Sequence, residues 1–172
     1  MRLLTRVFRP NSNREQNLNK ICFVICASVF LLDRVSKLLA VALLRDEAPY
    51  SFLLGFLTLT YTENGGAMLG LGGSLPEHLR LIIFIVFVGA ILVVGTLFTL
   101  TRINDIRTAS MSMLIIGGGI ANLYDRVFNN GYVIDYAVIR FSNVSTGVFN
   151  LADVAIMIGV FGLVFVGSNR AL

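Results

Sequence analysis

The stretch "DYAVIRFSNVSTGVFNLADVAIM", Asp135 to Met157, places an aspartate at each edge of a polar loop and then runs into a long apolar segment. Two carboxylates brought within a few ångströms cannot both ionise easily, so one keeps a proton while the other serves as a base. Such a pair can take a proton from a water, polarise a carbonyl and titrate as one unit. Asp135 and Asp153 are 18 residues apart, which is about 27 Å if the segment were one helix rising 1.5 Å per residue. The loop from Ser142 to Gly147 must therefore fold back if the two are to meet.

Each polar residue also has a plainer reading. "NLAD" opens a helix, so Asn150 can serve as N-cap with Asp153 three residues on, in the manner of a capping box at the positive helix end. Asp135 sits in the apolar run "VIDYAVI", where it is ordinary if it faces water. "GGGIANLYDR" carries Asn122, Asp125 and Arg126; Asp125 and Arg126 can form a rim ion pair, and Asn122 can hydrogen-bond across helices. Asp33 and Lys37 are four apart on one helix face, inside a stretch where each charge costs roughly 2.5 to 3.5 kcal/mol near a bilayer centre. They form either a structural ion pair or a functional one. Arg34 points about 100° away around the helix and is expected to snorkel.

Other chemistries have little to build on. His78 is the one histidine and lies beside Pro76 in a loop, which disfavours a Ser/His/Asp triad or a His-rich metal site. Cys22 and Cys26 are four apart on one helical face, a poor geometry for a disulfide. No phosphate-cradling glycine loop ending in Lys-Ser/Thr is present. What remains is the carboxylate pair and aspartic peptidase chemistry.

The elements that must position this pair belong in a membrane. Of 172 residues, 56% are hydrophobic and 14% charged, and the mean hydropathy is +0.80, well outside the balance of a soluble domain. Four stretches, near 20–44, 80–101, 109–127 and 150–168, are long enough to cross a hydrocarbon core of about 30 Å. Arg2, Arg6, Arg9, Arg14 and Lys20 precede the first, Arg102 and Arg107 separate the second from the third, and Arg170 follows the last. By the positive-inside rule both termini are expected in the cytoplasm. The basic pI of 9.4 then reflects topology, and no basic stripe with interleaved aromatics points to nucleic acid. Residues 1–19 are expected as a cytoplasmic tail and 20–172 as a single four-helix domain with outward loops 45–79 and 128–149. In those loops "FLTLTYT" and "YVIDYAVIRF" alternate as strands do. The expected fold is a mainly α membrane protein, with four transmembrane helices and a small extracytoplasmic β-cradle.

The order of the motifs resembles the lipoprotein signal peptidases, or signal peptidase II. "DRVSK" is similar to the family's D-x-x-x-K element, and "ENGGAML" to N-x-G-A-A-F through Asn64, Gly66 and Ala67. "GGGIANLYDR" resembles G-G-A-x-G-N-x-x-D-R, "VIDY" resembles V-V-D-F, and "FNLAD" resembles F-N-x-A-D. The resemblance implies a catalytic dyad of Asp135 and Asp153. It implies substrate-binding or site-supporting roles for Asn64, Gly66, Asn122, Asp125, Arg126 and Asn150, and structural roles for Asp33 and Lys37. It also implies no metal or cofactor, and a prolipoprotein substrate carrying diacylglycerol on a cysteine, cut just before that cysteine. Leu69, Ala121 and the Thr146-Gly147 pair depart from the family pattern without touching the dyad, and bear instead on cradle shape and substrate choice. The expected protein is a monomer of the bacterial cytoplasmic (inner) membrane, in contact with membrane lipid, with its site at the outer face. A catalytically altered paralogue that binds lipidated precursors, or a small proton-coupled transporter, are the alternatives.

Overall fold

A computed structural model describes residues 13–67, 70–142 and 144–168. All four apolar stretches are helical within it: α1 (Asn13–Leu44), α2 (Glu77–Arg102), α3 (Ile106–Phe128) and α4 (Leu151–Ser168). No Gly or Pro interrupts the sequence from Asn13 to Leu44, so the helix extends outward through good helix formers such as Arg14, Glu15 and Gln16. Within the described residues α1 runs from Asn13 and so takes in the last residues of the expected tail. Residues 1–12 of that tail lie outside the described residues. α2 contains a π-helical stretch, Ile82–Phe87, and α3 is capped by Asp105, whose carboxylate accepts from the Thr108 amide at 2.9 Å.

The two alternating segments form the expected sheet. β1 (Tyr50–Phe52), β2 (Leu57–Asn64), β3 (Val133–Phe141) and β4 (Val144–Ser145) lie antiparallel in that order. An irregularity between Leu59 and Thr62 shifts the β2–β3 register so that Thr62 faces Asp135 and Asn64 faces Val133. Such a bulge re-aims side chains near the end of a ladder. Beyond β4 the chain returns along the free edge of β3. The Phe149 amide donates to the Ala137 carbonyl at 2.8 Å, and the Ala137 amide donates back at 2.9 Å. This is the fold-back that an 18-residue separation requires, and it sets the start of α4 directly beside β3.

α3 sits centrally, packed against α1, α2 and α4. Cys22, Ala109, Met113 and Ile116 are buried together, flanked by Leu18, Ile25, Cys26, Ile103 and Ile120. Both cysteines are free thiols and behave as small apolar side chains. Helices approach closely where residues are small: a Cβ on Gly118 would lie 2.5 Å from the Ala152 carbonyl oxygen of α4. Large apolar side chains, by contrast, point outward. Leu31, Leu32, Val35, Leu38 and Leu39 of α1 and Val86, Phe87, Val93 and Val94 of α2 are all exposed. So much continuous apolar surface marks a non-aqueous surrounding. Among the described residues, α2 and α4 are the helices long and apolar enough to cross a membrane.

Gly118→Val is expected to wedge α3 from α4 and cost about 1 to 3 kcal/mol by overpacking. Gly167→Ala, with nothing within 4 Å of the added carbon, serves as the neutral control. Thermal unfolding in detergent checks the pair.

Candidate active site

The site begins with a buried charge that has to be satisfied. Lys37 is 1% exposed, and its ammonium has three protons to place. It finds three acceptors: Asp125 Oδ2 at 2.7 Å, Asp33 Oδ2 at 2.8 Å and Asn122 Oδ1 at 2.8 Å. Helical spacing of four supplies Asp33 from the same face of α1, and α3 supplies the other two from across the interface. The carboxylates reach onward. Asp33 Oδ1 accepts from the Ala152 amide in the first turn of α4 at 2.9 Å, and Asp125 Oδ2 accepts from the Ile134 amide of β3 at 3.2 Å. Four elements are thereby tied to one ammonium.

Asn122 carries this order to the first aspartate. Its Oδ1 is held by Lys37, so its Nδ2 points away and donates to Asp153 Oδ1 at 2.9 Å. Asp153 also accepts from the Asn150 amide through Oδ2 at 3.2 Å, while its own amide donates to Asn150 Oδ1 at 2.9 Å. That reciprocal pair is a capping box built from Asn and Asp. The cap reading of Asp153 is thus correct, and it fixes the side chain that a catalytic reading also needs.

Asn150 carries the order to the second aspartate. With its oxygen engaged by the cap, its Nδ2 donates to Asp135 Oδ1 at 2.7 Å and to Asn122 Oδ1 at 3.1 Å. Asn64, at the end of β2, donates to the other Asp135 oxygen at 2.9 Å. Asn64 is itself held, its Oδ1 accepting from the Gly66 amide at 2.9 Å. The Gly66 carbonyl accepts from Arg126 Nη2 at 2.7 Å, and the Arg126 guanidinium lies over an aromatic face, 5.2 Å from the Phe84 ring centre of α2. Asp135 is only 2% exposed. Burial pushes its carboxyl up to about 6, with the nearby Asp153 charge adding to the rise and the Asn64 and Asn150 hydrogen bonds opposing it.

All ten polar or glycine positions singled out from the sequence therefore meet in one network: Asp33, Lys37, Asn64, Gly66, Asn122, Asp125, Arg126, Asp135, Asn150 and Asp153. Three partners differ from the sequence reading. Asp125 pairs with Lys37 and Arg34 rather than with Arg126, because Arg126 turns to the Gly66 carbonyl. Arg34 does not snorkel freely. It pairs with Asp125 and lies 5.0 Å from the Tyr124 ring centre. The backbone amides of Ile134 and Ala152 also escaped sequence reading, since no side-chain type announces an amide's direction. Of the departures, Ala121 is fully buried in α3, and Thr146 ties the returning loop to β3, its Oγ1 accepting from the Ile139 amide at 3.0 Å. Gly147 is half-buried beside it, and Leu69 lies outside the described residues. Among the described residues no group of three or more His, Cys, Asp or Glu side chains is arranged to hold a metal ion.

Lys37→Met should leave Asp33 and Asp125 buried with a cation missing, a loss of about 3 to 5 kcal/mol for a broken buried pair. Unfolding of the purified variant measures it, and adding Asp33→Asn should recover part of the loss.

The chain matches the family model described as signal peptidase (SPase) II over residues 25–167. The lipoprotein signal peptidase of Caldanaerobacter subterraneus subsp. tengcongensis is 34% identical over 156 residues, covering 87% of this chain and 100% of that one. Those of Caldicellulosiruptor bescii and Streptomyces coelicolor are 35% and 33% identical, covering 84% and 95% of this chain and 89% and 77% of theirs. A bacterial membrane enzyme solved by the in meso method has the same fold, with a TM-score of 0.76 at 22% identity, over 87% of this chain and 88% of that one. With its family model spanning most of the chain and these relatives agreeing along it, the protein belongs to the signal peptidase II family.

Proposed function

We propose that this protein removes the signal peptide from diacylglyceryl-modified prolipoproteins, cutting just before the lipidated cysteine, with Asp135 and Asp153 as an aspartic dyad. The observation that carries the dyad is the single residue Asn150, which holds both carboxylates where β3 meets the first turn of α4, its Nδ2 donating to Asp135 Oδ1 and its backbone amide to Asp153 Oδ2. Asp135, the more deeply buried, keeps the proton and donates a hydrogen bond to the scissile carbonyl. Asp153, held by two N–H donors, takes a proton from a water as that water attacks the carbonyl carbon. Collapse of the tetrahedral intermediate breaks the C–N bond, and the proton taken by the dyad passes to the leaving amine. No step requires a metal. Asn64, Gly66, Asn122, Asp125, Arg126 and Asn150 orient the pair and the substrate backbone, with Asp33 and Lys37 as the structural base.

In this reading all four helices span the bacterial inner membrane, with the termini in the cytoplasm and the dyad at the outer face. The charges of α1 and α3 satisfy one another inside the bundle, as ionisable groups in a bilayer must. A proton-coupled transporter would need a polar path through the bundle. The opposite half is filled instead by Cys22, Ala109, Met113 and Ile116. Every residue of the network comes from one chain, so a monomer suffices.

Asp135→Asn and Asp153→Asn are each expected to abolish cleavage of a diacylglyceryl-modified precursor while the variants remain folded in the membrane. Normal processing by either would remove the dyad. Cleavage should persist in a chelator and should fail on unlipidated precursor. A folded protein that cuts neither would favour a binding paralogue.

The pH dependence follows from Asp135. Its proton is held below about 6 and lost above it, so kcat/KM, which reports the free enzyme, should fall as pH rises through a macroscopic pKa near that value. A profile that instead rises through the same range would reverse the assignment of acid and base.

A further inference from the structure

At the end of the sheet away from the dyad, two turns lie side by side. Leu57 pairs with Ile139, and the Arg140 amide donates to the Phe56 carbonyl at 2.8 Å, so the β1–β2 turn and the β3–β4 turn share one edge. From Asp135 to Phe141 is about 20 Å along a strand, which makes this edge distinct from the site described above. Its side chains are large and apolar, and they lie open: Phe52, Leu53, Leu54, Phe56, Phe141 and Val144, with Leu54 fully exposed and Leu53, Phe141 and Val144 each above 70%.

The turn itself is built against local preference. Leu53 and Leu54 have φ of 52° and 57°, in the left-handed region where Gly or Asn is the usual occupant. Leucine in such places gains nothing from the backbone, and both side chains are left largely open. Its retention there points to a partner outside the chain. Charge indicates which one. Between Tyr50 and Phe56 and between Arg140 and Ser145 the sequence has no carboxylate, and its one charge is Arg140, which is exposed. An apolar edge beside a lone cation suits the boundary between acyl chains and phosphates.

We propose that this two-turn edge inserts into the bilayer at the headgroup boundary, with Arg140 at the phosphates, and anchors the sheet to the lipid. The occupant is phospholipid, and the inference rests on the membrane placement given under the proposed function. The anchor sets the height of β2 and β3, and so of Asn64 and Asp135, against the plane in which a lipid-modified substrate arrives.

The chain has no tryptophan, so Leu54→Trp supplies a sole reporter. Phe52→Trp, at an ordinary extended position with φ of −117°, guards against distortion of the turn. Each is reconstituted in phosphatidylcholine vesicles with and without bromine on the acyl chains, beside Val94→Trp on the exposed face of α2 as reference. The expected result is blue-shifted emission at positions 52 and 54, quenched by brominated lipid to an extent comparable with position 94. Emission of a water-exposed indole without quenching at 52 and 54, while 94 is quenched, overturns the anchor and leaves the membrane reading standing. Failure of quenching at 94 as well would overturn both. Blue-shifted emission that brominated lipid leaves unchanged, and that grows with protein density, would assign the edge to contact between copies and overturn the proposal.

Discussion

The structure depends on one buried ammonium. Lys37 sits where water cannot reach it, and its three protons are each given an oxygen. An unpaired charge in such surroundings would cost several kcal/mol, so α1 and α3 are stable in one relative arrangement, the one that delivers Asp33, Asp125 and Asn122 together. The remaining valences of those acceptors then set the neighbouring elements: an Asp33 oxygen takes the Ala152 amide of α4, and an Asp125 oxygen takes the Ile134 amide of β3. The flanking residues of both aspartates are thereby placed by hydrogen bonds that begin at Lys37.

Amide side chains suit the next layer because each presents both an acceptor and a donor at fixed separation. Asn122 faces Lys37 with its oxygen and Asp153 with its nitrogen; Asn150 faces the Asp153 amide with its oxygen and Asp135 with its nitrogen. A carboxylate in place of either asparagine would turn a donor into an acceptor and set two negative groups face to face. Polarity thus propagates in one direction, from cation to amide to carboxylate. It does so without a charged intermediary that could compete for a proton in the proposed Asp135–Asp153 dyad.

The same economy appears in the helix end. Asn150 and Asp153 form a capping box, a device for stabilising a helix start, and the cap also orients Asp153 toward Asn122. Structural and functional readings of these residues do not compete, because the bonds that stop α4 from fraying are the ones that fix its carboxylate. The small residues of the α3–α4 interface serve the same end: at Gly118 the backbones approach so closely that any side chain would push Ala152, and with it the start of α4, away from Asp33.

The sequence by itself determined the four helices, both main strands and the ten residues of the network, because hydrophobic runs, alternation and motif order are local and periodic. It also determined that Asp135 and Asp153 could meet only through a fold-back. The directions of bonds were legible only where partners share a helix turn, as for Asp33 with Lys37 or Asn150 with Asp153. Tertiary structure decided the rest. Asp125 chose Lys37 and Arg34 over its neighbour Arg126, since adjacent helical residues point about 100° apart and the partner across the interface is nearer. The returning loop lies along β3 through Phe149 and Thr146, a pairing set by backbone amides that sequence does not label. The two apolar turns at the far edge of the sheet became one surface only through the β2–β3 register, because contacts between segments some eighty residues apart in sequence are written in no local pattern.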